Sequence, residues 1–322
     1  MSEQKIIEKQ EEKEMPNSID IGFIHIHVYG IMVALGLCAA VFVSAYRAKR
    51  NRLDEDLIYT ILAMSLIGGF IGTRVLFYLT VIPDIMENPS ILWNFSNGYV
   101  VYGGVIGGVL ANVIYFKVKK RGFLPYFDLI MPQVALAQAI GRIGCFFAGC
   151  CYGSETDLPI GFTYHTSDFA PTGVSLIPTQ LISSVGDLII FVVLLLYAKR
   201  KEAKGTVGAL YLMLYSAGRF FVEFLRGDEE RGSIGVLSVS QVIAIVVFFG
   251  GLLLYVLFVK VAQRQIDKLD EEIEESDEEI EDDVAFDVEE GEEPEMDDKA
   301  ENYEEESQVE EMDTIEEEDD LA

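Results

Sequence analysis

Seven stretches of this chain, approximately 22–46, 57–80, 98–117, 124–148, 176–198, 206–225 and 236–260, are apolar over about the length that a ~30 Å hydrocarbon layer asks of a helix. Lipid offers no hydrogen-bond partners, so a segment that spans it must satisfy its own backbone. The fold class expected is all-α: a polytopic membrane protein of about seven transmembrane helices. The net charge of -29 looks out of place in such a protein until the chain is divided. Residues 267–322 hold 32 of the 53 acids and only Lys268 and Lys299 as bases, which leaves 21 acids against 22 bases in the rest. Three regions follow: a polar N-terminal segment (1–21), a membrane domain (22–260) and an acidic tail (261–322) with few aromatics, expected to be disordered. Met1 to Asp20 are polar, and no short apolar stretch with a small-residue cleavage site follows them, so no cleavable signal peptide is expected.

The connecting loops alternate in charge. Basic clusters follow the first segment (Arg47, Lys49, Arg50, Arg52), the third (Lys117, Lys119, Lys120, Arg121), the fifth (Lys199, Arg200, Lys201, Lys204) and the seventh (Lys260, Arg264, Lys268). The loops 81–97 and 149–175 contain neither Lys nor Arg. Basic loops stay in the cytoplasm, so the N-terminus is expected outside and the C-terminus inside. On that topology His27, Tyr29, Tyr102, Thr179, Gln180, Ser240 and Gln241 lie near the outer face. Arg74, Arg142, Arg219 and Glu223 lie in the outer half of their helices, and Asp187 is deeper. The long loop 149–175 is expected to cap the outer face.

Gly141-Arg142-Ile143-Gly144-Cys145-Phe146-Phe147-Ala148-Gly149-Cys150-Cys151-Tyr152-Gly153 is the most unusual segment. An arginine inside an apolar helix costs roughly 2.5–3.5 kcal/mol on insertion scales, so it needs a partner or a task. Arg219, Glu223 and Arg226 share one helix face by their spacing, as do Arg142 and Cys145. Three arginines at one depth with one obvious carboxylate leave the region short of anions. A structural ion-pair network is one reading; a bound lipid phosphate, which arginine suits through bidentate hydrogen bonds, is the other. Cys145, Cys150 and Cys151 with His165 could be read as a metal site, but C-x4-C-C is not a standard zinc spacing and no metal or cofactor is expected. The three cysteines also admit a thiol-redox reading, although a C-x-x-C pair is missing. Cys38, on an apolar segment, reads as packing. Gly103, Gly104, Gly107 and Gly108 after Tyr102 allow either close helix contact or a break where a head group enters.

The ordered motifs His27-Val28-Tyr29-Gly30, Gly72-Thr73-Arg74, Tyr102-Gly103-Gly104, the glycine-arginine signature at 141–153, Pro178-Thr179-Gln180-Leu181, Arg219 to Arg226 and Ser240-Gln241 resemble the bacterial prolipoprotein diacylglyceryl transferase family over about residues 20–260. The resemblance implies transfer of a diacylglyceryl group from phosphatidylglycerol to the lipobox cysteine thiol beside a prolipoprotein signal peptide, in the bacterial cytoplasmic membrane. It implies Arg142 and Arg219 on the lipid phosphate, Glu223 orienting Arg219, and Tyr102 in the chemistry. Tyr29, Arg74, Gly103, Gly104, Gly141, Gly144, Cys145, Gln180 and Arg226 would line the substrate site. Membrane lipid is the expected surrounding, and no nucleic-acid partner is expected. The sequence departs from the family at three points: Tyr102 stands where a histidine is usual, Cys145 and Cys150 where an asparagine and a glutamate are, and Ile177 where a histidine often precedes the proline. A non-catalytic lipid-binding or lipid-transporting protein is the competing reading.

Overall fold

The computed structural model describes residues 18–21, 24–94, 98–167, 169–200, 203–227 and 232–289. The described part begins with a hairpin, β1 (Ser18–Ile21) against β2 (Ile24–His27), in which Ser18 pairs with His27. Eight α-helices follow: α1 (Val28–Arg50), α2 (Asp56–Thr80), α3 (Ile82–Glu87), α4 (Val101–Val118), α5 (Leu124–Ala148), α6 (Thr179–Ala198), α7 (Thr206–Glu223) and α8 (Val239–Glu289). The first apolar stretch was expected to be helical from residue 22. Ile24-His25-Ile26-His27 instead alternates with the period of a strand, and the helix starts at Val28.

Among the described residues six helices are long and apolar enough to cross a membrane: α1, α2, α4, α5, α6 and the Val239–Leu269 part of α8. The chain is therefore an all-α, multi-pass membrane protein, with six such helices where about seven were expected. The remaining one, α7, forms as a helix of 18 residues but falls outside that set. Its Thr206, Ser216, Arg219 and Glu223 lower its apolar content, so the residues that make it chemically interesting also hide it from a hydropathy criterion.

By its internal contacts the chain divides into two units, Met1–Ala262 and Gln263–Ala322. The second unit is helical through Glu289. Disorder was expected throughout this acidic region, but its glutamates, Leu269 and Ile273 are compatible with helix. The remainder of that expectation, on 290–322, lies outside the described residues.

Within the first unit α1 and α5 run antiparallel, as do α2 and α4. The loop after α1 meets the loop after α4: Arg121 Nη1 lies 2.8 Å from Asp54 Oδ2, and the Asp54 amide donates to Tyr126 Oη at 3.1 Å. A core of Ala48, Leu57, Ile58, Ile61, Phe116, Tyr126 and Leu129 fills this end. Between α2 and α4 the backbones nearly touch. A methyl group placed on Gly72 would run into the Gly103 carbonyl oxygen, and one on Gly103 into that of Gly72. Gly68 and Gly107 repeat the contact one turn away, so the pair is a small-xxx-small crossing of the membrane type.

The α5, α6 and α7 group has its own core of Ala135, Leu194, Val207 and Tyr211. Ser184 Oγ donates to the Ala139 carbonyl at 2.7 Å, and Tyr211 Oη to Gln138 Oε1 at 2.8 Å. The start of α7 is capped from another helix: buried Asp128 accepts from the Gly205 amide at 2.6 Å and the Gly208 amide at 3.0 Å. The carboxylate satisfies donors that a helix start leaves open and complements the positive end of the helix dipole. Asp128→Ala is expected to cost about 2 kcal/mol, read as a fall in the detergent-state melting temperature. Asp128→Asn, which keeps one acceptor oxygen, is expected to lose less.

Candidate active site

Most of the polar residues singled out in the sequence gather where α5 and α7 end and where α1, α6 and α8 begin. This is the end opposite the Asp54–Arg121 pair. On α7, Arg219 Nη1 pairs with Glu223 Oε2 at 2.5 Å, one turn apart, and Nη2 donates to Ser240 Oγ at 3.2 Å. The second Glu223 oxygen accepts from Ser238 Oγ at 2.8 Å. Ser238 also caps α8: the Gln241 amide donates to its hydroxyl at 3.1 Å, while its own amide donates to Gln241 Oε1 at 3.0 Å, a reciprocal capping box. The start of α8 thus fixes the Arg219–Glu223 pair. Ser238 was missed in the sequence because a single serine before an apolar run reads only as a cap.

Arg142 is held differently. It lies on α5, half-buried, and its charge acts on Tyr215, Cys145, Cys151 and Asp187. Tyr215 precedes Arg219 by one helical turn on α7, which brings the two arginines to neighbouring levels. Arg142 makes no hydrogen bond among the described residues, whereas Arg219 is bonded twice. Asp187, on α6, is 6% exposed and its Oδ2 has no hydrogen-bond partner. This carboxylate is the anion nearest in character to a countercharge for Arg142.

After α5 the chain turns at Gly149, whose φ of 70° lies in the left-handed region that glycine adopts freely. The cysteine loop that follows is pinned from two sides. Gln180 Nε2 donates to the Cys150 carbonyl at 2.8 Å and Thr179 Oγ1 to the Cys151 carbonyl at 2.7 Å. The Gly153 amide donates to the Ile177 carbonyl at 2.9 Å, and the Ser154 amide to that of Leu225 at 2.9 Å. Arg226 bridges to Gly153 through the backbone, and its side chain hydrogen-bonds the Cys151 sulfur. The loop 149–175 folds around a core of Tyr164, Ala170 and Leu176, with a short pairing of Phe162–Thr163 and Ser175–Leu176. Tyr164 donates to the Phe146 carbonyl at 3.1 Å; burial pushes its phenol up to about 12, so it stays a donor at neutral pH.

The other residues named from sequence fall into two groups. Tyr29 opens α1, is 46% exposed, and lies in the neighbourhood of the three cysteines and of Arg142. Gly144 faces it across the α1–α5 crossing, against Met32 Cβ and the Tyr29 backbone, while the space beside Gly141 is open. These residues belong to the gathering. Arg74, Tyr102, Gly103 and Gly104 sit on the α2–α4 pair. Arg74 is 5% exposed; it donates to the carbonyls of Asn94 at 2.9 Å and Gly98 at 3.3 Å and lies over the rings of Tyr78 and Tyr99. It braces the loop before α4. Gly103 is used for the helix crossing, and α4 has no break there, so of the two readings of the glycines the structure takes close contact. Gly104 meets Thr73 across the same crossing. Tyr102, in the first turn of α4, is 46% exposed and makes no hydrogen bond among the described residues.

A family model described as prolipoprotein diacylglyceryl transferase matches residues 16–257. The chain belongs to the prolipoprotein diacylglyceryl transferase family. It is 43% identical over 232 residues to the phosphatidylglycerol–prolipoprotein diacylglyceryl transferase of Clostridium tetani, covering 72% of this chain and 93% of the relative. A second such enzyme, from Clostridium perfringens, is 41% identical with 72% and 91% covered. That of Finegoldia magna is 34% identical with 77% and 96% covered. The region shared with this transferase family is the membrane unit; the acidic tail lies beyond it.

Proposed function

We propose that this protein transfers the diacylglyceryl group of phosphatidylglycerol to the lipobox cysteine thiol of a prolipoprotein, beside its signal peptide. The acceptor sulfur bonds to the glyceryl carbon, the bond from that carbon to the phosphate oxygen breaks, the thiol loses its proton and glycerol phosphate leaves. The observation that carries the reading is the contrast between the two arginines. Arg219 is held rigidly by Glu223 and Ser240, and Arg142 lies at a neighbouring level with its donors unspent. A lipid phosphate fits between such groups, and their fixed charge stabilises the negative charge that builds on the leaving phosphate. An apolar cleft of about 180 Å³ between α7 and α8, lined by Phe220, Phe221, Phe248 and Phe249 among others, suits an acyl chain. The site would face the outside of a bacterial cytoplasmic membrane, with the basic loops inside. Tyr29, Gly141, Gly144 and Cys145 would line the head-group region, and Gln180 and Arg226 would hold its cap. Arg74, Gly103 and Gly104 would act by placing Tyr102.

The direct test is transfer from labelled phosphatidylglycerol to a synthetic lipobox peptide by purified protein. Tyr102→Phe is expected to lower the rate roughly tenfold to a hundredfold, with melting unchanged because that hydroxyl makes no hydrogen bond among the described residues. No thioether product from the wild type, with lipid still bound, would replace the transferase by a lipid-binding protein.

A further inference from the structure

The three cysteines of the loop form one cluster. The Sγ atoms of Cys145, Cys150 and Cys151 all lie within 4.8 Å of one another. Cys145 is in the last turn of α5, Gly149 reverses the chain, and Cys151 takes a φ of 61°. A residue with a β-carbon enters that region at a cost, so the loop spends conformational energy to bring both later sulfurs back to the first. The bonds from Thr179 and Gln180 to the Cys151 and Cys150 carbonyls hold it there. All three cysteines are half-buried, at the wall of the site. His165, the fourth ligand considered from the sequence, is exposed and is not part of the cluster.

A soft d¹⁰ cation such as Zn²⁺ binds thiolate sulfur at about 2.3 Å, which places three sulfurs around it roughly 4 Å apart. The cluster needs only a slight closure to reach that spacing. We propose that Cys145, Cys150 and Cys151 bind one thiophilic metal ion, Zn²⁺, as three thiolates with the fourth coordination position open. Three protein ligands and an open position are the arrangement of catalytic rather than structural zinc. Three thiolates and a dication carry one net negative charge. Arg226, hydrogen-bonded to Cys151, and Arg142, whose charge acts on Cys145 and Cys151, offset it.

The open position has a natural occupant, and this part rests on the transferase reading. The acceptor in that reaction is itself a cysteine thiol. A thiol that coordinates zinc gives up its proton outright, here to bulk water. The bound sulfur then carries the electron pair that forms the new carbon–sulfur bond, as the carbon–oxygen bond to the phosphate breaks and its pair leaves on the phosphate. The thiolate is thus generated without a histidine at the position of Tyr102.

The test uses the full-length, fully reduced protein in detergent under argon. Zn²⁺ uptake is counted, and Co²⁺ serves as the coloured probe. Expected are one ion per chain, a cobalt–thiolate charge-transfer band, and an affinity roughly a hundredfold or more weaker in each of Cys145→Ser, Cys150→Ser and Cys151→Ser, with Cys38→Ser unchanged. Melting curves of the metal-free variants identify any that misfold; for these, Cd²⁺ bound by the wild type and displaced by Zn²⁺ replaces the comparison. A lipobox peptide with its cysteine is expected to alter the cobalt ligand-field bands, and the same peptide with serine is not. Substoichiometric uptake, or uptake indifferent to the three substitutions, overturns the site. So does a disulfide within the cluster that persists under reductant. Uptake with no effect of the cysteine peptide overturns the open position. None of these arms contains lipid or turnover, so their failure leaves the transfer assay intact, whereas metal uptake without product sinks the transferase reading alone.

Discussion

Arg142→Ala is expected to cut diacylglyceryl transfer by about a hundredfold to a thousandfold while leaving the melting temperature nearly unchanged. The side chain makes no hydrogen bond among the described residues, so its removal orphans no partner. Arg219→Ala gives the opposite pattern. Its loss breaks the ion pair to Glu223, whose side chain is only 7% exposed, and breaking a buried pair costs about 3–5 kcal/mol. That variant is expected to lose both activity and stability. Measuring rate and melting together on both variants separates an arginine that serves the substrate from one that also serves the fold. Arg142→Lys keeps the charge but loses the planar fork, and is expected to recover only part of the rate. A wild-type rate in Arg142→Ala would remove this residue from the phosphate site.

A second large effect on stability is expected from Gly72→Leu. The space a side chain would need is filled by the Gly103 carbonyl and the Gly107 Cα, both backbone. Neither can turn aside as a side chain can, so α2 and α4 must separate. A loss of about 3 kcal/mol follows from overpacking of this kind, and for a domain of this size that is a fall of roughly 6–12 °C in melting temperature. Gly141→Leu is the control. Nothing lies within 4 Å of the position a Cβ would take there, so melting should hold while activity falls if lipid occupies that space. Equal melting of Gly72→Leu and wild type would mean that the crossing is looser than it looks.

The membrane character, the family and the gathering at one end were legible in the sequence for a physical reason. Long apolar runs and alternating loop charge fix which ends of which helices share a level, so Arg142, Arg219 and Glu223 could be placed together before any coordinate was known. The limits are equally physical. The arginines looked alike in sequence, yet Arg74 is bonded to the Asn94 and Gly98 carbonyls, Arg219 to Glu223, and Arg142 to nothing described. Local spacing predicts the i, i+4 pair of Arg219 and Glu223 but not a carbonyl twenty residues away. Asp128 capping α7 from α5 is of the same kind: its partners, the Gly205 and Gly208 amides, are nearly eighty residues distant. The cysteine cluster was read as unpromising because its spacing matches no standard motif. A loop residue with positive φ, which a sequence does not display, closes it.

The packing cores are unevenly distributed along the bundle. Helices α1, α2, α4 and α5 are bolted together by Phe116 and its neighbours at the Asp54–Arg121 end. At the opposite end, among the described residues, no comparable core joins the α2–α4 pair to the α5–α7 group. A structure fastened at one end only works like a clothes-peg. Tyr102 rides on one jaw and Arg142 and Arg219 ride on the other, so separating them there breaks the least packing. A two-tailed lipid could then slide in laterally without ever leaving oil, and the lipidated product could depart by the same seam.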